Sequence, residues 1–180
     1  MEARTIPGIL YLEGFLPKPG PLFDWAVQAV AWDDRIRARK TASFGVPYNY
    51  AGLTYPPLPF PPALEAVRSA VSQRLGHAYN NCLLNYYPDG RARMGFHSDS
   101  AEGIVEEAGV AIVSLGAVRA LRFRRSAQLD DRLDYVLGTG SLLFMASEVQ
   151  REWQHALPRT SRPEPRISLT FRAVRGTAPE

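Results

Sequence analysis

Residues 81–99 read NCLLNYYPDGRARMGFHSD, and the fold turns on this stretch. The run from Asn81 to Tyr87 reads as a short strand. Pro88-Asp89-Gly90 closes it as a turn, because proline presets φ and glycine tolerates conformations that other residues avoid. A second strand is expected over 94–99. On a strand, residues i and i+2 share a face, so His97 and Asp99 point the same way.

The pattern continues downstream. Residues 110–115, 120–124, 133–137, 141–145, 148–156 and 166–172 each read as a strand, with Gly138-Thr139-Gly140 as a further turn. Leu121 and Phe123 alternate with Arg122 and Arg124, the period of a half-buried strand. Upstream the period is helical. Leu22, Phe23, Ala26, Ala29 and Val30 predict a helix over 22–32. Leu64, Val67, Val71 and Leu75 predict another over 62–75, stopped at Gly76. Residues 41–61, rich in Tyr, Pro and Gly, read as a long irregular segment of the kind that carries binding residues. Eight short strands behind a helical front end predict a mainly β fold with flanking helices (α+β), a double-sheet jelly roll. No linker divides the chain, so one domain over 1–180 is expected, with its core in 80–173.

Composition agrees. The 180 residues are 46% hydrophobic and 22% charged, which suits a globular domain that buries its own core. The 15 prolines and 14 glycines favour strands and turns over a helical bundle. Cys82 is the only cysteine, which excludes an intrachain disulfide. With no secretory leader read at the N-terminus, a reducing cytoplasm is the expected compartment. No apolar run approaches the ~20 residues of a membrane helix, so no membrane partner is expected. The net charge of +3 permits a nucleic-acid partner without showing one.

The chain has three histidines, His77, His97 and His155. His77 follows the helix stop and reads as structural. His97, Asp99 and His155 form a set of two imidazoles and one carboxylate, the facial arrangement of non-haem iron(II) oxygenases. Alone, a His-x-Asp pair is common by chance. A structural zinc site would want four ligands, usually with several cysteines. The stretch Arg166-Ile167-Ser168-Leu169-Thr170-Phe171-Arg172 alternates strictly. Its two arginines share a face suited to a dicarboxylate, since guanidinium pairs with carboxylate through two hydrogen bonds. Asn85 and Tyr87 share a face and can donate to the same anion. The competing reading is a solvated sheet face with surface arginines.

Four stretches together carry a resemblance: Asn81 to Gly90, Gly95 to Asp99, Trp153-Gln154-His155-Ala156-Leu157-Pro158, and Arg166 to Arg172. In order and spacing the chain resembles the AlkB-like iron(II)- and 2-oxoglutarate-dependent dioxygenases over roughly residues 40–173. The resemblance implies that His97, Asp99 and His155 bind iron(II), with 2-oxoglutarate and dioxygen as cosubstrates. It implies that Asn85, Tyr87 and Arg166 hold the distal carboxylate of 2-oxoglutarate, and that Arg172 supports the other end. Ser168 stands where the family often has Asn. Residues 1–79 would supply helices and a substrate lid, with Phe44, Tyr48 and Tyr50 as lid aromatics. Relatives that act on alkylated bases often carry Asp or Glu two residues after the metal-binding Asp. Here Ala101 holds that position and Glu102 follows it.

The expected activity is oxidative demethylation of N-alkylated bases in DNA or RNA by a monomer. Arg37, Arg39, Lys40, Arg159 and Arg162 are the candidate phosphate contacts. A 2-oxoglutarate-dependent hydroxylase of a protein side chain or small metabolite, and a non-catalytic binding module on the same fold, stay open as alternatives.

Overall fold

A computed structural model of the chain describes residues 4–49 and 52–176. Within them run ten strands and three helices: β1 (Ile9–Leu12), α1 (Gly20–Ala29), β2 (Lys40–Gly45), α2 (Pro62–Leu75), β3 (Asn81–Tyr87), β4 (Met94–His97), β5 (Val110–Gly116), β6 (Arg119–Arg125), β7 (Gln128–Leu137), β8 (Leu142–Met145), α3 (Ser147–Glu152), β9 (Trp153–Leu157) and β10 (Arg166–Arg172). They build a six-stranded sheet in the order β1-β8-β5-β10-β3-β2 and a four-stranded sheet in the order β4-β9-β6-β7. The predominance of β and the two facing sheets match the expected jelly roll.

Alternation along β3 and β10 sorts the core. Cys82, Leu84, Ile167, Leu169 and Phe171 face the layer that includes Leu64, Val67 and Val71 of α2. Burying each such side chain stabilises the fold by roughly 1.5–3 kcal/mol. A second cluster, including Leu121, Phe123, Leu137, Leu143, Met145, Trp153 and Leu157, fills the other side. The polar face of β10 thereby points into the space between the sheets, and its residues are buried.

Helix α2 spans the expected residues. Pro61 and Pro62 open it, and Gly76 closes it in the left-handed region at φ 75°. Helix α1 stops at Ala29, short of the expected 32, because Trp32 turns back and its Nε1–H donates to the carbonyl of Ala26. Two expectations are corrected. Residues 148–156 are not one strand: a six-residue helix, α3, precedes β9. Residues 41–61 are not irregular throughout, since β2 pairs along β3 from Lys40↔Tyr86 to Gly45↔Asn81. Strand β1, paired with β8, was not foreseen.

Candidate active site

The antiparallel pairing of β4 with β9 sets His97 directly opposite His155. Their ring centroids lie 4.3 Å apart. His97 Nδ1 donates to the carbonyl of Gly95 at 2.8 Å, since a carbonyl only accepts. In the neutral ring that leaves the lone pair on Nε2. This Nε2 is buried without a hydrogen-bond partner among the described residues. His155 packs on Phe123, its cross-strand neighbour on β6, with centroids 5.8 Å apart. His97 Nε2 lies 3.9 Å from Asp99 Oδ1, and His155 Nε2 lies 3.9 Å from Asp99 Oδ2. One potential ligand atom from each of the three residues falls within a 4.8 Å span.

Electrostatics prepare this cluster for a divalent cation. Burial alone would raise the Asp99 carboxyl, but Arg172 and the two imidazoles outweigh it and hold the group at about 2. Burial, with His97 and Arg172 alongside, pushes His155 down to about 4 against the pull of Asp99. At neutral pH the set is therefore a carboxylate and at least one neutral imidazole. Nitrogen and oxygen donors in a two-to-one ratio suit iron(II), and ligation would occupy the orphaned Nε2 of His97.

Asp99 lies beyond the end of β4, and side chains hold it there. Arg172 Nη2 donates to its Oδ1 at 2.9 Å. Gln150 Nε2 donates to Oδ2 at 3.0 Å, and Gln150 Oε1 accepts the Asp99 backbone N–H at 3.0 Å.

The same pocket continues past the cluster. Its lining includes Asn85, Tyr87, Arg166, Ser168, Thr170 and Arg172, with apolar walls from residues such as Leu83, Ile112 and Leu121. Arg166 is 2% exposed. Its Nη2 donates to Ser114 Oγ at 2.9 Å, while its Nε has no partner among the described residues. None of the described carboxylates forms an ion pair with it. Burial, aided by the charge of Arg119, lowers Arg166 to about 10, so it stays charged at neutral pH. Both guanidinium groups approach the ring of Tyr87, Arg166 at 5.4 Å and Arg119 at 6.0 Å. Asn85 Oδ1 accepts from Arg39 Nε at 2.7 Å, which leaves the Asn85 amide N–H groups to serve the pocket. A buried cation without a counter-charge is costly, and an anionic ligand relieves that cost.

The expected substrate contacts divide. Tyr48 is 6% exposed, and the Arg172 guanidinium lies 4.7 Å over its ring, at the metal end. Tyr50 lies outside the described residues. Phe44 does not face the pocket. It pairs with Cys82 across β2 and β3 and packs on the helix side of the large sheet. Ala101 and Glu102 are exposed on the segment after Asp99 and do not line the pocket. Sequence reasoning missed Gln150, whose segment read as a strand, and it missed the burial of Arg39.

Outside, Arg37, Arg39, Lys40, Arg91, Arg93 and Arg159 line one groove together with Asp34 and Asp89. Arg91 pairs with Asp89 at 3.2 Å. Arg37, Lys40, Arg93 and Arg159 have no ion pair among the described residues. Arg39 is buried and fastened to Asn85 rather than offered to solvent, which corrects its reading as an open phosphate contact. Arg162 lines a different cleft, beside Val118 and Glu164. Consecutive residues line the two, Arg93 the groove and Met94 the pocket.

The profile of the 2OG-Fe(II) oxygenase superfamily matches residues 27–172. The chain is 38% identical over 147 residues to the DNA oxidative demethylase ALKBH2 of Bos taurus, covering 76% of this chain and 53% of that protein. It is 30% identical over 197 residues to the alpha-ketoglutarate-dependent dioxygenase alkB homolog 3 of Bos taurus, covering 97% of this chain and 68% of that protein. The chain thus spans about half to two thirds of the length of these relatives. The structure of OsALKBH1 superposes with a TM-score of 0.70 at 16% identity, covering 94% of this chain and all of that one, a likeness of fold.

Proposed function

The chain belongs to the 2OG-Fe(II) oxygenase superfamily, and on that premise we propose that it oxidatively removes N-linked methyl groups from nucleobases in DNA or RNA. The observation that carries this reading is the charged, buried Arg166, with no carboxylate partner among the described residues, in one pocket with His97, Asp99 and His155. Similarity to a DNA oxidative demethylase and to an alpha-ketoglutarate-dependent dioxygenase supports the substrate class.

In this reading His97, Asp99 and His155 hold iron(II). Bound there with 2-oxoglutarate and dioxygen, the metal supplies hydroxylation of a C–H bond coupled to oxidative decarboxylation of 2-oxoglutarate to succinate and carbon dioxide. An N-hydroxymethyl product then loses formaldehyde and returns the bare nitrogen. The chain's own residues bind and exclude. Arg166 meets the distal carboxylate of 2-oxoglutarate through paired hydrogen bonds, with Tyr87 and the Asn85 amide alongside. Ser168 offers a hydroxyl on the same face. Arg172 supports the metal end while keeping Asp99 ionised. Leu83, Ile112, Leu121 and Leu157 keep water from the reacting atoms. Tyr48, beside Arg172, is the proposed stacking partner of an extruded base. The unpaired cations of the groove hold the phosphates of the same strand. A lone, buried Cys82 suits the cytoplasm.

Ala101 favours one second reading. It places no carboxylate where base-acting relatives often have one, which fits a hydroxylase of a protein side chain or metabolite. Mass spectrometry decides between the two. Oligonucleotides with single N-methylated bases, incubated with iron(II), 2-oxoglutarate and air, are expected to lose one methylene mass unit with release of formaldehyde. Succinate formation with no mass change in any methylated oligonucleotide sinks the nucleobase reading and favours the second.

A further inference from the structure

Resting on the metal-site reading above, we propose that Gln150 is a positioning residue that fixes the Asp99 carboxylate for the metal. The β4–β9 register ends at His97, so the strand ladder does not hold Asp99. Gln150 grips it at two points, the backbone N–H through Oε1 and carboxylate Oδ2 through Nε2, each at 3.0 Å. The amide has only one orientation that satisfies both, because an N–H only donates and a carboxylate only accepts. Gln150 sits on α3, whose Val149 is buried, and β9 follows directly with His155. The clamp therefore ties Asp99 to the chain segment that carries the second imidazole. Gln150 Nε2 also approaches Met145 Sδ on β8 at 3.7 Å, which seats the amide against the large sheet.

Arg172 and Gln150 divide the labour. Arg172 supplies charge to Oδ1, and Gln150 supplies direction to Oδ2. Rotation of the carboxylate breaks one bond or the other. Removing Gln150 keeps the charge of the ligand set but frees its geometry, and partners of this kind are typically worth 10–100-fold in metal affinity.

The test is titration with cobalt(II) alone, followed by its visible absorption, for the wild type, Gln150→Met, Gln150→Asn and His155→Ala. Thermal melts of the metal-free proteins run alongside. Gln150→Met removes both contacts at similar volume. It is expected to weaken cobalt binding by about 10–100-fold and to shift the absorption bands, with little change in the metal-free melt. Gln150→Asn is too short to span both groups and is expected to weaken binding in the same direction, so it stands in if the Met variant fails to fold. Affinity within twofold of wild type and unchanged bands in a folded Gln150 variant, with binding abolished in His155→Ala, overturn the proposal and leave the metal site standing. Binding unchanged in His155→Ala overturns the site assignment, and this proposal with it.

Discussion

Arg166 keeps its charge in a buried pocket that it shares with Leu83, Ile112 and Leu121, and it has no anionic partner among the described residues. If the distal carboxylate of 2-oxoglutarate is that partner, Arg166→Ala breaks a buried ion pair, which costs about 3–5 kcal/mol. The concentration of 2-oxoglutarate needed for half-maximal turnover is then expected to rise by roughly 10²–10⁴, while cobalt(II) titration shows metal affinity unchanged. An unaltered requirement places Arg166 outside the cosubstrate site. His155 yields a second expectation at this scale. Its folded value of about 4 lies below its ordinary 6.5. Between those values the unfolded chain binds a proton that the folded chain refuses, so stability falls as pH falls from about 6.5 to 4. Asp99, held at about 2 against an ordinary 3.8, adds stability above 3.8 that is lost only as pH drops toward 2. Urea midpoints of the metal-free protein at pH 7, 5.5 and 4.5 are expected to decline, and His155→Gln to flatten the decline. A midpoint that holds constant or rises toward acid contradicts the neutral, buried imidazole.

At the scale of elements, Gly45 ends β2 where the chain leaves the sheet for the segment that carries Tyr48. It stands at φ +85°, and a β-carbon there would come 2.0 Å from the carbonyl oxygen of Asn80. Its N–H donates to Leu58 and the next N–H to Asn80, so the backbone cannot easily move aside. Gly45→Ala is expected to lose at least about 1–3 kcal/mol in urea unfolding, and a neutral result removes the strain account. The elements also show what the sequence makes legible. Strand β10 and helix α2 fall on their expected spans because strict alternation and a Pro-to-Gly frame mark them locally. Helix α3 was misread because fewer than two turns, with Val149 as the one buried residue, do not reveal a 3.6-residue period. The facing of His97 and His155 was read as a chemical set, but their register across β4 and β9 is tertiary and has no local signal. Phe44, expected as a lid aromatic, packs instead on the helix side of the large sheet, because it lies on β2 and strand parity decides which side a residue takes. Gln150 and Arg39 act through partners distant in sequence, Asp99 and Asn85, so neither stood out from its neighbours.

For the whole molecule, the distribution of charge matters more than its sum. A net +3 is modest, yet Arg37, Lys40, Arg93 and Arg159 converge on one groove, whose Arg93 is followed directly by Met94 of the metal pocket. Phosphate contacts release counterions, so binding of a single strand weakens with salt by a slope of about 0.7 per contact. Fluorescence anisotropy of a labelled methylated oligonucleotide is expected to show that slope shallower by roughly 2–3 when all four become Gln. The pair Arg122→Gln and Arg132→Gln, on the small sheet away from the groove, is expected to leave it unchanged. The reverse pattern moves the nucleic acid to that sheet. The central claim, that one set of two imidazoles and a carboxylate performs a 2-oxoglutarate-coupled demethylation, is tested most directly by following both halves of the reaction together. Carbon dioxide from carboxyl-labelled 2-oxoglutarate and formaldehyde from an N-methylated oligonucleotide are measured for the wild type, His97→Ala, Asp99→Ala and His155→Ala. The predicted result is one carbon dioxide for each formaldehyde in the wild type and background levels of both in all three variants. Near wild-type release of either product from any one of them contradicts the claim.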